Sequence, residues 1–196
     1  MLLVADVTEM QRRADEIRRL GRRIGFVPTM GYLHQGHLDL LRVARDRSDI
    51  VVVSIFVNPT QFAVGEDIDR YPRDVARDSE LAKNSGCDIL FVPQNEMMYP
   101  NGTCTSVLVD GLSSILEGAV RTEHFRGVTT IVAKLFNIVK PHVAVFGQKD
   151  AQQAVIIRRM VRDLHFDIDI IVAETRREPD GLAMSSRNTY LSEADR

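Results

Sequence analysis

Two histidines three residues apart stand in the segment Pro28-Thr29-Met30-Gly31-Tyr32-Leu33-His34-Gln35-Gly36-His37. It follows a short apolar run, Ile24 to Val27, and leads into a helix-period stretch in which Leu38, Leu40, Leu41 and Ala44 share one side. A strand–turn–helix of this kind offers unpaired backbone N–H groups and the positive end of a helix dipole, a setting that attracts anions. Gly31 and Gly36 let the backbone turn sharply and approach a bound group closely. His34 and His37, at i and i+3, project from the same side of the first turn. Two imidazoles so placed donate hydrogen bonds to phosphate oxygens and stabilise charge that grows during attack on an α-phosphate. Metal binding is not expected, because no third ligand of the right type lies nearby.

Three further segments carry groups suited to the same chemistry. Asn58-Pro59-Thr60-Gln61-Phe62 offers neutral amides that can read a carboxylate or hydroxyls; a β-turn explains Asn58-Pro59 equally well but gives no reason for Gln61. The polar stretch Ala63 to Arg70, with Gly65 and three acids, is expected to be a mobile flap. Phe146-Gly147-Gln148-Lys149-Asp150 supplies a point cation in Lys149, and an Asp150 that either caps the next helix or faces a ligand, with Gln153 three residues on. After a Pro179-Asp180-Gly181 turn, Met184-Ser185-Ser186-Arg187 offers two hydroxyls and a planar guanidinium able to grip a polyphosphate. In Glu123-His124-Phe125-Arg126-Gly127, read as a loop, Arg126 is a candidate to face an anion. His142 and His165 read as surface or cap residues, and Cys87 as core.

The elements that must position these groups follow from hydrophobic period. Ile50 to Val57, Asp88 to Val92, Val143 to Phe146 and Ile168 to Ala173 read as strands covered on both faces, and Thr103 to Val109 as an antiparallel or edge strand. Helices are expected over Arg73 to Ser85, Thr129 to Val139 and Asp150 to Leu164, the last with Ala151, Val155 and Ile156 inward. Arginines 12, 13, 18, 19, 22 and 23 read as a solvated helix face, with Glu9–Arg13 and Asp15–Arg19 paired at i,i+4. Alternating strands and helices imply right-handed crossovers and a doubly wound, mainly parallel sheet, whose ligands bind beyond the carboxyl ends of the strands. Those ends are Pro28 onward, Asn58 onward, Gly147 onward and the loop after Ala173.

Composition narrows the function classes. The 196 residues carry 25 Lys+Arg against 27 Asp+Glu, a net charge of −2, which gives no bulk attraction to nucleic acid or anionic lipid. The longest strictly apolar run, Met1 to Ala5, is far short of the roughly 20 residues of a membrane span. Two cysteines are too few for a disulfide framework and suit a reduced, cytoplasmic chain.

The HxGH turn with a later MSSR loop resembles the nucleotidyltransferase superfamily with HIGH and KMSKS motifs, which has a Rossmann-like fold. More closely, PTMGYLHQGH, VVVSIFVNPTQF, RYPRD, YPNGT, LEGAVRTEHFRGV, FGQKDAQQ and REPDGLAMSSRN resemble, in order, the pantoate–β-alanine ligases (pantothenate synthetases). The resemblance implies a two-step reaction: pantoate's carboxylate attacks the α-phosphate of ATP, used with Mg²⁺, and β-alanine's amine then attacks the pantoyl adenylate, releasing AMP. It implies that Met30, Gly31, Tyr32, Leu33, His34, Gln35, Gly36 and His37 bind ATP, with His37 as proton donor, together with Gly147, Gln148, Lys149, Asp150, Met184, Ser185, Ser186 and Arg187. His34 and Lys149 would join His37 in catalysis. Gln61 and Gln153 would hold pantoate, with Pro28, Thr29 and Asn58 on the substrate side. Arg176 falls where the family contacts ATP, often through an aliphatic residue; an arginine there is compatible with a backbone contact. The resemblance also implies a homodimer and small-molecule partners, without nucleic acid or membrane. It divides the chain into residues 1–185, a nucleotide- and pantoate-binding domain, and 186–196, the start of an absent C-terminal domain. Ser192 and Asp195 form a helix-start box with no residue beyond Arg196 to continue it. Such a chain is expected to bind ATP yet turn over slowly, its adenylate being poorly shielded from water. A cytidylyltransferase-like transfer and a nucleotide-binding module without catalysis are the alternatives.

Overall fold

A computed structural model describes residues 1–63 and 65–196. Its centre is a six-stranded sheet, all parallel, of β1 (Leu2–Val4), β2 (Ile24–Thr29), β3 (Ile50–Ile55), β4 (Ile89–Phe91), β5 (Val143–Gly147) and β6 (Asp169–Ala173). The strand order is β1-β4-β3-β2-β5-β6. The helices are α1 (Val7–Arg19), α2 (Gln35–Arg45), α3 (Val75–Asn84), the single turns α4 (Asn95–Met98) and α5 (Glu117–Val120), then α6 (His124–Val139) and α7 (Ala151–Asp163). The expected α/β, doubly wound architecture is therefore the one observed.

Period-2 alternation along the strands divides the core in two. Ile24, Phe26, Val52, Phe91, Ala144 and Phe146 pack with α1, α6 and α7; Val27, Val51, Val53, Leu90, Val143 and Val145 pack with α2 and α3. Connections from β2 and β3 thus cross one face, and the connection from β5 crosses the other. Paired registers between β2 and β5 are confined to Gly25–Val143 and Phe26–Ala144. Beyond them β2 stays with β3 as far as Thr29–Ile55, while β5 stays with β6 as far as Gly147–Ala173. The sheet splits at its carboxyl edge, where strand order reverses, and that split is the crevice of a doubly wound fold.

Several local expectations are corrected. Pro28 and Thr29 belong to β2, so the turn begins at Met30. Residues 103–109 form no strand: the Val107 N–H donates to Thr130 Oγ1 and its carbonyl accepts from Thr129 Oγ1, so hydroxyls of α6 take the place of a neighbouring strand. α6 starts at His124, five residues earlier than its apolar run suggests, which converts the expected loop at 123–127 into a helix start. In α7, Ala154, Ile156, Ile157 and Met160 face inward, while Ala151 and Val155 are exposed. On α1, Arg13 pairs with Glu9 as expected, but Asp15 pairs with Lys140 at 2.6 Å, joining α1 to the end of α6.

Phe136 of α6 is 2% exposed and meets Phe26, Phe146 and Phe166 edge-on, with ring centroids 6.5, 6.5 and 5.7 Å away. Phe136→Ala is expected to remove about 3–5 kcal/mol of stability, measured by denaturant unfolding; a loss under about 1 kcal/mol would contradict this packing.

Candidate active site

A cavity of about 250 Å³ opens at the split between β2 and β5. All four strand ends singled out from the sequence line it: Pro28 to Met30 at the end of β2, Asn58 and Gln61 after β3, Gly147 at the end of β5 with Lys149 and Asp150 beyond it, and Arg176 after β6. His34, Gly36 and His37 come from the start of α2, Gln153 from the first turn of α7, and Met184, Ser185, Ser186 and Arg187 from the late loop. Gly31, Tyr32, Leu33, Gln35 and Gln148 do not line it. Leu33 is fully buried in the core under α2, Gln35 bonds Asp39 at 3.0 Å, and Gln148 is exposed.

His34 is the N-cap residue of α2, and the two imidazole rings stack with centroids 4.0 Å apart. The His34 N–H donates to His37 Nδ1 at 3.2 Å, which leaves the proton of the neutral His37 ring on Nε2. Burial, aided by the neighbouring His34 ring and Lys149, pushes the His37 pKa down to about 3. His34 is lowered as well, by burial first and then by Lys149. Its Nδ1 is buried against Gly36 without a hydrogen-bond partner. Both rings therefore present themselves as neutral groups at pH 7, His37 as an N–H donor.

The amides divide their work. Asn58, 1% exposed, donates to the Gly127 carbonyl at 3.1 Å and to Gln61 Oε1 at 3.2 Å, and its Oδ1 accepts from Tyr99 and Thr60 at 2.7 and 3.1 Å. Every position on its amide is taken, so Asn58 locks the 58–61 turn onto α6. Gly127 permits this close approach, since a Cβ there would stand 2.3 Å from the Thr60 carbonyl oxygen. Gln61 keeps its Nε2 on the sulfur of Met30 at 2.9 Å, a weak acceptor that a carboxylate or hydroxyl can displace.

The cations are engaged by acids. Arg187 is held by Asp67 through two hydrogen bonds of 2.7 and 2.9 Å and lies over the rings of Tyr71 and Phe62. Arg121 is held likewise by Glu66, at 2.8 and 2.6 Å. These bonds hold both carboxyl groups below their usual range. Glu66 and Asp67, from the stretch read as a flap, are thus latched to the cavity rim, while Val64 of that stretch lies outside the described residues. Lys149 Nζ stands 2.9 Å from Asp150 Oδ1. Asp150 occupies the N-cap position of α7 but makes no capping bond, so its side chain stays at the cavity. The Arg176 carbonyl accepts from the Met184 N–H at 2.9 Å, drawing the late loop to the site, while its guanidinium stands 3.9 Å from Asp39. Among the described residues, no cluster of three or more His, Cys, Asp or Glu is arranged to hold a metal ion.

Sequence reasoning passed over Arg121, His124 and Glu117, which line the cavity, and singled out Arg126, which points to Ser106 and Glu123. The signal was present: His124, Val128, Ile131 and Leu135, at i, i+4, i+7 and i+11, form one helical stripe, and all four line the cavity. His124 Nδ1 lies 2.9 Å from the Gln61 carbonyl oxygen. Asp78 was also passed over; its carboxylate accepts from the N–H groups of Tyr32 and Leu33 behind the histidine turn.

A sequence profile described as pantoate-beta-alanine ligase matches residues 2–196. The chain belongs to the pantoate–β-alanine ligase family. It is 58% identical, over all 196 of its residues and 70% of the relative's length, to the pantothenate synthetase of Pelotomaculum thermopropionicum. The crystal structure of pantothenate synthetase from Thermus thermophilus superposes with a TM-score of 0.94 at 51% identity, covering 99% of this chain and 69% of that one. The ligase of Francisella tularensis, complexed with beta-gamma ATP and beta-alanine, superposes with a TM-score of 0.95 at 38% identity, covering all of this chain and 75% of that one. Among the described residues, no helix of this ligase-family chain is long and apolar enough to cross a membrane.

The depressed His37 pKa has a consequence for stability. The folded chain keeps the ring neutral down to about pH 3, whereas the unfolded chain takes up a proton below about pH 6.5. The unfolded state then binds more protons, so stability falls as pH drops from 6.5 toward 3, by up to about 1.4 kcal/mol per pH unit from this group. Denaturation midpoints between pH 6.5 and 4 are expected to fall less steeply in His37→Gln than in the parent; parallel profiles would contradict a buried neutral ring.

Proposed function

We propose that this chain catalyses the ATP-dependent condensation of (R)-pantoate with β-alanine to pantothenate. The observation that carries the reading is the convergence of two neutral imidazoles, Lys149, the 184–187 loop and the amides of Gln61 and Gln153 on one cavity, in a chain of the ligase family. The Francisella relative, described with an ATP species and β-alanine together, supports both as substrates here.

In the first step a carboxylate oxygen of pantoate attacks the α-phosphorus of MgATP, the bond to the β-phosphate oxygen breaks, and pyrophosphate leaves. Met30, His34, Gly36 and His37 on one wall, and Gly147, Lys149, Asp150, Met184, Ser185, Ser186 and Arg187 on the other, embrace the nucleotide. Gly31, Tyr32, Leu33, Gln35 and Gln148 support these walls from behind or from the rim. His37 acts as a neutral Nε2–H donor to the phosphate, and a proton held there is stabilised only once the anion is bound. Lys149 supplies a fixed positive charge. Arg187 reaches the phosphates by exchanging Asp67 for them, keeping its bidentate geometry. Gln61 and Gln153 orient pantoate, with Pro28, Thr29 and the Asn58-locked turn shaping that end.

In the second step the amine of β-alanine attacks the acyl carbon of pantoyl adenylate. The C–O bond to AMP breaks, and the amine gives up its proton as the amide forms. Rate enhancement then rests on positioning and on hydrogen-bond donors aimed at the phosphate, without a covalent enzyme intermediate. The resemblance further implies a cytoplasmic homodimer.

An AMP-formation assay omitting each substrate in turn tests the reading. Pantothenate with an equal amount of AMP is expected only with ATP, pantoate and β-alanine together, while ATP and pantoate without β-alanine support exchange of labelled pyrophosphate into ATP. Release of pyrophosphate with a cytidine nucleotide transferred to a phosphorylated acceptor would replace the ligase by a nucleotidyltransferase. His37→Ala is expected to lower kcat about 10²–10³-fold, as loss of one preorganised donor does; unchanged turnover would remove His37 from the mechanism.

A further inference from the structure

The turn that carries the two histidines is held from outside the cavity. Tyr32 sits at φ 51° and Gly31 at φ 86°, so a bulky L-residue occupies the left-handed region two residues before His34. The N–H groups of Tyr32 and Leu33 precede the N-cap of α2, and no helical carbonyl can take them. Both go to one side chain on α3: Asp78 Oδ2 accepts from Tyr32 at 2.6 Å and Oδ1 from Leu33 at 2.7 Å. Asp78 is 1% exposed and has no capping task, because Asp74 is the N-cap of α3 and accepts from Arg77 N–H. The Arg77 guanidinium stands 3.4 Å from Asp78 and lies over the Tyr32 ring, 4.9 Å from its centroid. A buried carboxylate is costly unless its hydrogen bonds are met, and here they are met by the turn itself.

We propose that Asp78 is a positioning residue for nucleotide attack: its two oxygens hold residues 31–33 in the left-handed turn that sets the His34 and His37 rings at the cavity wall. Asp78 does not line that cavity; it stands behind it, beside a second hollow of about 220 Å³. The inference rests on the reading of the cavity as the ligase site. An asparagine has the same shape but one acceptor oxygen, and it turns an N–H donor toward one of the two backbone N–H groups. A displacement of about 1 Å at a reacting group costs on the order of 10² in rate.

The test is Asp78→Asn, followed by steady-state kinetics and by nitrogen-15 spectra of the imidazoles. A folded variant is expected to lose about 10- to 100-fold in kcat while KM for β-alanine stays within about twofold. Its His37 ring signals are expected to move away from the single Nε2-protonated form. Unchanged kcat, or unmoved His37 signals, in a folded variant overturns the proposal. Amide exchange in the parent chain gives a second readout that needs neither variant nor substrate. The Tyr32 and Leu33 N–H protons are expected to exchange at least about 100-fold slower than in an open loop, and exchange at the open-loop rate overturns the proposal even if Asp78→Asn does not fold. Failure of AMP formation in the parent, with the exchange and imidazole results as expected, would instead count against the ligase reading.

Discussion

The site depends on one constraint of parallel-sheet geometry. Connections from β2 and from β5 leave the sheet toward opposite faces, so no crossover covers the gap between the two strands at their carboxyl ends. The pairing of β2 with β5 stops at Phe26 and Ala144, three residues before either strand ends, and each strand continues with its other neighbour. Every group assigned to nucleotide chemistry hangs on this split. His34 and His37 follow β2, Lys149 follows β5, and the 184–187 loop is drawn in by backbone bonding at Arg176. The rest of the core forms two layers sorted by strand alternation, one on each face of the sheet.

Charge within the cavity is balanced internally. The histidines are kept neutral by burial and by nearby cations. Arg121 and Arg187 are neutralised by Glu66 and Asp67, and Lys149 stands beside Asp150. Isolated cations at a desolvated site would be costly, and acids that a phosphate can replace keep them oriented meanwhile. The bidentate pairing of Arg187 with Asp67 uses the same planar fork that suits a phosphate. Glu66 and Asp67 of the acidic stretch therefore form part of the cavity rim through their two arginines.

Neutral groups do the complementary work of shape. Asn58 spends all of its hydrogen-bonding capacity on the protein, and in doing so joins the end of β3 to the start of α6 through Gly127. Gln61, left on a weak sulfur acceptor, is the amide of that turn with something better to gain from a ligand. The apolar stripe of Val128, Ile131 and Leu135 supplies the wall behind it. This division between a saturated amide and a replaceable one cannot be read from Asn58-Pro59-Thr60-Gln61 as a string, because it depends on what Tyr99 and Gly127 bring from elsewhere.

By itself the sequence determined the fold class, four of the strand ends that line the cavity, and the histidine, lysine and MSSR segments that meet there. Those features are local: a buried strand's β-branched run, a helix period, and glycines in a strand-to-helix turn are all legible over ten residues. What only the tertiary structure decided is which distant groups complete them. Residues 103–109 have a strand's composition, yet threonine hydroxyls of α6 take the backbone bonds of Val107 among them. Asp78 reads as one more acid in a polar helix until α3 packs behind the histidine turn. Arg121 and Arg126 both flank His124 in the sequence, and only the fold turns one, at the C-cap of α5, toward the cavity and the other, on α6, away from it. Hydrogen-bond partners and the burial of charge are properties of surfaces brought together across the chain, and residue type and spacing constrain them only weakly.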